Sequence, residues 1–208
     1  MADATKVLHV SPVIPVVTIE DPQHAVPVAR ALADGGIRII ELTLRTDSAL
    51  TSLKLIAHEV PDILLGAGTI LAPGQADDAV SAGAQFLVSP GVTPSLLDHM
   101  LTLDVPVLPG VATVGEVMAV AERGLDAMKF FPAGPAGGPS YLAAIGAPVP
   151  NVQFCPTGGI SLATAPDYLK LPNVSCVGGS WLTPRSAVEA EDWSQIEALA
   201  REAAALFG

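Results

Sequence analysis

The feature that most constrains this chain is an alternation of short β-branched runs with longer amphipathic stretches, repeated about eight times. The first run is Val13 to Val17, and the helical stretch that follows, Asp21 to Asp34, ends at two glycines. Repeated strand–helix units without a long insertion are typical of a compact barrel. The pattern therefore predicts an α/β chain folded as a (β/α)₈ TIM barrel with an N-terminal extension.

A doubly wound open sheet is the alternative fold, because it uses the same strand–helix units. No Gly-x-Gly-x-x-Gly motif opens the first predicted helix, which removes the main argument for dinucleotide binding. Half of the residues are hydrophobic and only 4% are aromatic, which indicates an aliphatic core between a parallel sheet and its helices. No break in composition divides the chain, so we expect residues 1–208 to form one domain.

Charge and composition exclude several classes of partner. The formal net charge is -11 and no stretch clusters Lys or Arg, so nucleic acid and anionic membrane surfaces are poor candidates. No apolar run reaches the roughly 18 residues that span a bilayer, and we expect a cytoplasmic protein. Cys155 and Cys176 match no zinc or redox motif and are predicted to be buried free thiols. No metal-binding cluster is visible, and we expect neither a metal nor a cofactor.

Lys129 is the most informative polar residue, because it lies inside the apolar run Ala-Met-Lys-Phe-Phe-Pro at residues 127–132. A cation in a buried strand is costly unless it is paired or has lost its proton. Desolvation favours the neutral amine, which is the nucleophile of Schiff-base chemistry. The alternative is a structural lysine on a wet strand face, or one whose ammonium group reaches solvent past an apolar stem. The run alone leaves both interpretations open.

Further polar residues follow the second and third predicted strands, at the edge where barrels carry their chemistry. Glu41 is a carboxylate among aliphatic residues, and burial would suit it to proton transfer. Arg45 would lie roughly 13 Å beyond Glu41 along an extended strand, so it is predicted to lie in the following loop. From there its guanidinium group could bind a carboxylate. Thr69 offers a hydroxyl after two glycines. Taken singly, each could instead be a solvated residue at a strand end.

Two glycine pairs follow the seventh and eighth predicted strands. Gly158 and Gly159 lie in the first of these loops, and Gly179 precedes Ser180 in the second. Barrels often bind phosphate at these two loops, and exposed backbone amides can hold an anion without lysines. An acidic chain could therefore bind an anionic ligand there, although the glycines could also serve only to make tight turns.

Taken together, these motifs resemble the KDPG/KHG aldolase family from about Val13 to Phe207. The motifs that carry the resemblance are Glu41-Leu-Thr-Leu-Arg45, Gly66-Ala-Gly-Thr69, Val88-Ser-Pro-Gly91, Lys129-Phe-Phe-Pro132, Cys155-Pro-Thr-Gly-Gly-Ile160 and Gly178-Gly-Ser-Trp181. The resemblance implies a class I aldolase, which is a lyase, on a (β/α)₈ barrel. It also implies a homotrimer that uses no metal.

The resemblance also implies a role for each matching residue. Lys129 resembles the Schiff-base lysine and Glu41 the acid–base carboxylate. Arg45 and Thr69 resemble the residues that bind the pyruvoyl carboxylate. The pocket lining is represented by Pro90, Phe131 and Thr157. The residues that resemble the phosphate site are Gly158, Gly159, Gly179 and Ser180.

The activity implied by the resemblance is cleavage of a small 2-oxo acid. The substrate would be 2-dehydro-3-deoxy-6-phosphogluconate (KDPG), which gives pyruvate and glyceraldehyde 3-phosphate. With 4-hydroxy-2-oxoglutarate (KHG), the same groups would give pyruvate and glyoxylate. The segment Gly134 to Ser140 departs from the family pattern, because it is unusually rich in Gly and Pro.

Two other functions remain open on the residues alone. A phosphosugar isomerase or epimerase could use Glu41 as its base and Lys129 only as a charge. A metabolite-binding barrel without catalysis is the alternative outside the enzymes, and the combination of Lys129, Glu41 and Arg45 argues against it.

Overall fold

The computed structural model describes residues 3–207 as parallel strands that alternate with helices. The strands are β1 (Val13–Val17), β2 (Ile39–Thr43), β3 (Leu64–Gly68), β4 (Phe86–Val88), β5 (Val107–Leu108), β6 (Gly110–Val111), β7 (Ala127–Phe130), β8 (Gln153–Pro156) and β9 (Val177–Gly179). The helices are α1 (Thr5–Leu8), α2 (Ala25–Asp34), α3 (Ala49–Glu59), α4 (Pro73–Ser81), α5 (Pro94–Met100), α6 (Val114–Ala121), α7 (Gly138–Gly146), α8 (Ala165–Leu169), α9 (Arg185–Glu189) and α10 (Trp193–Ala204). Single-turn 3₁₀ helices occur at Pro22–His24 and Ala205–Phe207.

The strands form a six-stranded sheet in the order β5-β4-β3-β2-β1-β9 and a three-stranded sheet in the order β6-β7-β8. Every pair of neighbouring strands is parallel. Helices connect the strands, as parallel pairing requires. The chain therefore has an α/β fold with a curled parallel sheet, and the predicted alternation of strands and helices is confirmed.

The two sheets approach each other at both ends. Between β5 and β6 lies a single residue, Pro109, where the sequence predicted one continuous strand from Val107 to Gly110. Proline has no N–H and interrupts the ladder. Its carbonyl still accepts the N–H of Lys129 at 3.0 Å. At the other end, an isolated parallel bridge joins Thr157, just after β8, to Gly178 in β9.

Both faces of the sheet are buried, which explains why the sequences of the strands are nearly continuous apolar runs. All five residues of β1 and all five of β2 are buried. Outside the sheet, polar side chains cap the first turns of α5, α6 and α10. At the start of α6, the Thr113 side chain accepts the Glu116 N–H while the Glu116 carboxylate accepts the Thr113 N–H. The N–H groups of Ala112 and Thr113 lower the pKa of Glu116.

Short helices account for the main differences from the predicted element order. The helices α1 and α9 were missed, because four or five residues are too few to produce a periodic signal. The first long helix, α2, begins at Ala25 rather than at Asp21, whose side chain instead accepts the Gln23 N–H at the start of a 3₁₀ turn. Within residues 3–207, no helix has both the length and the apolar character needed to cross a membrane.

Candidate active site

A lysine and a glutamate form an ion pair that is buried inside the sheet. The Lys129 Nζ atom of β7 lies 2.9 Å from Oε1 and 3.2 Å from Oε2 of Glu41 in β2. The two side chains are only 5% and 4% exposed. Charges at this depth require a partner, and here each is the partner of the other. The separation also lies within the range for direct proton transfer between two groups.

Strand register and a missing side chain create the space for this pair. Glu41 is paired with Val16 of β1 on one side and with Gly66 of β3 on the other. Gly68, two residues farther along β3, faces the carboxylate, because a Cβ atom built there would overlap the carboxyl group of Glu41. The sheet therefore accommodates Glu41 only because residue 68 has no side chain.

Aromatic side chains surround the lysine. The Nζ atom of Lys129 lies 5.5 Å from the ring centroid of Phe131, within the range of a cation–π contact. On the other face of the strand, Phe130 is fully buried and stacks on Tyr141, with ring centroids 5.6 Å apart. Water is therefore largely excluded from both sides of the strand at this point. This is the environment in which an amine nucleophile is least solvated.

Arg45 and Thr69 contact each other at the ends of β2 and β3. The Arg45 Nε atom donates to the Thr69 hydroxyl oxygen at 3.1 Å. Arg45 is exposed, and its remaining N–H groups can reach a ligand. Thr69 has a φ of 60°, which is uncommon for a residue other than glycine. Such strain is concentrated at ligand sites and persists only where surrounding contacts hold it.

A cavity of about 120 Å³ opens next to the ion pair at the carboxyl ends of the strands. Its lining residues are Val16, Arg45, Phe131, Thr157, Gly158, Gly159, Ile160, Gly178, Gly179 and Ser180. Seven of these were predicted as site residues from the sequence. Val16, Ile160 and Gly178 were not, because an aliphatic residue or a strand glycine carries no chemical signal. Val16 is the register partner of Glu41, which brings the pair close to the cavity.

Four predicted residues lie outside this lining: Lys129, Glu41, Thr69 and Pro90. The buried pair lies behind it, since Val16 is paired with Glu41 and the Phe131 ring lies 5.5 Å from the Lys129 Nζ atom. Thr69 reaches the cavity through its contact with Arg45. Pro90 follows β4 and packs against the next strand, since a Cβ atom on Gly110 would overlap its carbonyl group. The structure therefore brings Thr69 to the cavity indirectly and places Pro90 against the backbone that is paired with Lys129.

The far wall of the cavity is backbone rather than side chain. Gly158 and Gly159 have φ values of 102° and 75°, which a residue with a side chain rarely adopts. Because neither residue has a side chain, a ligand can approach their backbone N–H groups closely. Ser180 adds a hydroxyl at the end of β9, and Arg45 is the cationic residue of the lining. The arrangement suits a small ligand that carries two anionic groups.

A larger cavity of about 450 Å³ shares Val16 and Ser180 with the first. Its acidic lining residues, Glu20 and Glu189 among them, outnumber its one arginine, Arg185. That arginine is already hydrogen-bonded to Glu189 at 2.6 Å. A phosphate is therefore better placed among the glycines of the smaller cavity than in this acidic one.

Both cysteines are free and buried, Cys155 within β8 and Cys176 directly before β9. Cys155 is the register partner of Lys129. A hydrogen bond with Cys155, together with burial, raises the pKa of the Cys176 thiol well above its usual value. Cys176 is therefore held as a thiol and does not compete with the lysine as a nucleophile. No group of three or more His, Cys, Asp or Glu residues that could hold a metal occurs in the part of the chain that the structure describes.

Comparison with known proteins agrees with this geometry. The model of the family described as "KDPG and KHG aldolase" matches residues 4–199. A 2-dehydro-3-deoxy-phosphogluconate aldolase of Dickeya dadantii is 50% identical over 97% of this chain and 95% of its own length. A KHG/KDPG aldolase of Escherichia coli K12 is 48% identical over 96% and 94%.

Among solved structures, KDPG aldolase from Legionella pneumophila superposes with a TM-score of 0.96. It is 46% identical, covers 98% of both chains and was crystallised with pyruvate captured as a covalent carbinolamine. The resemblance predicted from the sequence is confirmed. The chain belongs to the KDPG and KHG aldolase family.

Proposed function

We propose that this chain is a class I aldolase that cleaves KDPG to pyruvate and glyceraldehyde 3-phosphate. The observation that carries the proposal is the buried pair of Lys129 and Glu41 beside the cavity. A nucleophilic amine needs a nearby group to take and return protons, and a carboxylate at 2.9 Å supplies it. An isomerase that used Lys129 only as a charge would not need this contact between amine and base.

The first half of the reaction joins substrate and enzyme. Transfer of one proton from Lys129 to Glu41 leaves a neutral amine and a neutral acid, so the net charge of the buried pair stays at zero. The amine then attacks the C2 ketone of the substrate and forms a carbinolamine. Glu41 supplies the proton with which the C2 hydroxyl leaves as water, and a protonated imine results.

The second half breaks the carbon–carbon bond. Glu41, now a carboxylate, takes the proton of the C4 hydroxyl, and the C3–C4 electron pair moves toward the imine nitrogen as an enamine. Glyceraldehyde 3-phosphate leaves as the aldehyde. The enamine takes a proton at C3 from Glu41, and water releases pyruvate and restores the lysine. Every proton is moved by the one carboxylate that contacts the amine.

The cavity residues would orient the two ends of the substrate. Arg45, held by Thr69, would bind the carboxylate of the pyruvoyl half. Phe131 and Thr157 line the same cavity and would pack against that half, and Pro90 would support it from behind Gly110. The residues proposed to bind the phosphate are Gly158, Gly159, Gly179 and Ser180.

The same groups would also cleave KHG to pyruvate and glyoxylate. This substrate carries a carboxylate where KDPG carries its phosphate-bearing chain. The relative of Escherichia coli K12 is named for both activities. A backbone anion site is tolerant of anion type, which supports this second substrate.

Borohydride trapping tests the proposal. The protein is treated with pyruvate and sodium borohydride, digested and mapped by mass spectrometry. We expect a reduced pyruvate adduct on the peptide that contains Lys129. Cleavage activity without any trapped adduct would exclude the Schiff-base mechanism, and an adduct on another lysine would exclude this assignment.

We also propose that the two sheets belong to one closed eight-stranded barrel, which forms a single domain. Its eighth strand, β9, pairs with β1, and β5 and β6 would count as one strand interrupted by Pro109. The bridge from Thr157 to Gly178 supports closure between β8 and β9. In this arrangement α1, which precedes β1 and contacts β8, is the N-terminal extension.

The assembly and location are proposed on the family resemblance. We propose a cytoplasmic homotrimer. Leu71 and Met118 are large apolar residues that are 63% and 53% exposed. Burial of these side chains between subunits would stabilise an assembly. Light scattering coupled to size-exclusion chromatography measures the mass directly. A monomer at all concentrations would exclude the trimer.

A further inference from the structure

The loop between β7 and α7 is joined by backbone hydrogen bonds to the segment that carries the glycine pair of the cavity. Beyond the end of the β7–β8 ladder, the Ala133 N–H donates to the Thr157 carbonyl at 2.8 Å. The next residue, Gly134, donates its N–H to the Gly158 carbonyl at 2.9 Å. The loop thus stays paired with the glycine segment after regular strand structure has ended.

This pairing determines the direction of an amide that faces the cavity. In a trans peptide the C=O and N–H groups lie in one plane and point in opposite directions. The Gly158 carbonyl points toward Gly134 in the loop, so the N–H of Gly159 points away from the loop. The glycine segment lies between the loop and β9, because Thr157 bridges to Gly178. The Gly159 N–H is therefore directed toward the side of the cavity where Ser180 lies.

The loop also restricts rotation of the glycine segment. Glycine visits positive and negative φ values with similar ease, so a free Gly-Gly segment could turn its amides away from the cavity. Here the Ala133 N–H holds the Thr157 carbonyl and the Gly134 N–H holds the Gly158 carbonyl, so the segment is fixed at two successive peptide groups.

The loop has its own internal hydrogen bonds. The Ala136 N–H donates to the Pro132 carbonyl at 2.9 Å, and the Gly138 N–H donates to the Ala133 carbonyl at 2.9 Å. Pro135 fixes one further backbone dihedral between these bonds. A segment rich in Gly and Pro is thus a closely hydrogen-bonded support rather than a flexible connection.

We propose that Gly134 is a positioning residue, whose N–H fixes the Gly159 N–H in the direction of a bound phosphate. The proposal rests on the proposed function, in which Gly158, Gly159 and Ser180 hold the phosphate of the substrate.

Two substitutions at position 134 separate the effect of losing the N–H from the effect of adding a side chain. Gly134→Pro removes the donor. Gly134→Ala keeps it, and its Cβ would meet the Gly158 carbonyl oxygen at 3.4 Å, an ordinary contact. Four quantities are measured for each variant: KM and kcat with KDPG, the inhibition constant of inorganic phosphate, and deuterium exchange into the methyl group of pyruvate. The exchange requires the lysine and the glutamate but no phosphate site.

For Gly134→Pro we expect KM and the phosphate inhibition constant to rise about tenfold, the effect of losing one hydrogen bond to a charged group. Pyruvate exchange should stay within about twofold, since Lys129 and Glu41 are not touched. For Gly134→Ala we expect a phosphate inhibition constant close to that of the unsubstituted protein. Equal inhibition constants for the two variants would overturn the proposal, as would a parallel loss of pyruvate exchange in Gly134→Pro.

Ser180→Ala distinguishes failure of this inference from failure of the proposed function. If Ser180→Ala weakens phosphate inhibition and Gly134→Pro does not, only the loop proposal fails. If neither variant changes it, the phosphate assignment itself fails, and the loop proposal with it. Should Gly134→Pro not fold, amide hydrogen exchange of the unsubstituted protein replaces it. Inorganic phosphate should slow exchange of the Gly134 and Gly159 amides, and an unchanged exchange rate at Gly134 would overturn the proposal.

Discussion

The two ends of the candidate site differ in the kind of chemical group that they present. At the inner end, Lys129 and Glu41 are single charged side chains in a dry interior. At the outer end, Gly158 and Gly159 offer backbone amides, and the neighbouring Ser180 is exposed. In the proposed function, the inner end concentrates the chemistry in two groups. The outer end would distribute binding over several weak donors, so we expect losses there to be smaller and graded.

The strongest test of this contrast removes the nucleophile. Lys129→Ala should abolish pyruvate trapping and lower kcat by roughly 10⁴-fold or more, as expected when one member of a cooperating catalytic set is lost. It should also destabilise the fold by about 3–5 kcal/mol, because Glu41 is left buried without a partner. Trapping experiments and thermal unfolding measure the two effects.

A double variant separates these two effects. Lys129→Met combined with Glu41→Gln removes both charges, so stability should recover while activity stays lost. If the double variant regained activity together with its melting temperature, the role of Lys129 would be structural.

The second test concerns the proton-transfer group of the inner end. Glu41→Gln keeps the shape of the side chain but cannot exchange protons, and kcat should fall by about 10²–10⁴-fold. Binding of pyruvate should remain, because the carboxylate of pyruvate is assigned to Arg45. Steady-state kinetics and pyruvate titration measure the two quantities. An unchanged kcat would remove Glu41 from proton transfer.

Arg45 is intermediate between the two ends, since it is a charged side chain in an exposed position. Arg45→Lys keeps the charge but loses the planar donor pair and the contact with Thr69. Binding of the 2-oxo acid should weaken by roughly 1–3 kcal/mol, seen as a higher KM. If KM and kcat/KM both stayed the same, the carboxylate would have to be bound elsewhere.

The smallest effect is expected at the outer end. Ser180→Ala removes one hydroxyl among several donors and should weaken binding of the phosphorylated substrate by about 0.5–1.5 kcal/mol. Deuterium exchange into the methyl group of pyruvate, which needs no second anionic group, serves as the control and should not change. A loss as large as that of Glu41→Gln would mean that the outer end is not a distributed site.

The sequence predicted the inner end more completely than the outer one, for a physical reason. A charged residue in an apolar strand is rare because it is costly, so Lys129 and Glu41 stand out. Their mutual contact depends on strands 88 residues apart in the chain, and no local pattern encodes it. The resemblance implied the two roles, and the structure shows the contact.

Elements that depend on backbone geometry were harder to predict. The strand containing Pro109 was predicted as continuous, and helices α1 and α9 were missed because they are too short to show a period. Val16 lines the cavity, yet in the sequence it is one valine among many. Gly158 and Gly159 lie in the loop after β8 as predicted, whereas Gly178 and Gly179 lie within β9 rather than after it. Only the structure reveals which way the amides of these glycines point.

The empty space at Gly68 has a consequence for how this sequence can change over time. Any side chain at position 68 would occupy the volume of the Glu41 carboxylate. A larger residue there would require a smaller one at position 41, and the proposed chemistry does not allow that exchange. Two positions 27 residues apart are thus linked to each other, and a glycine with no reactive group of its own becomes as difficult to replace as the proposed proton-transfer residue.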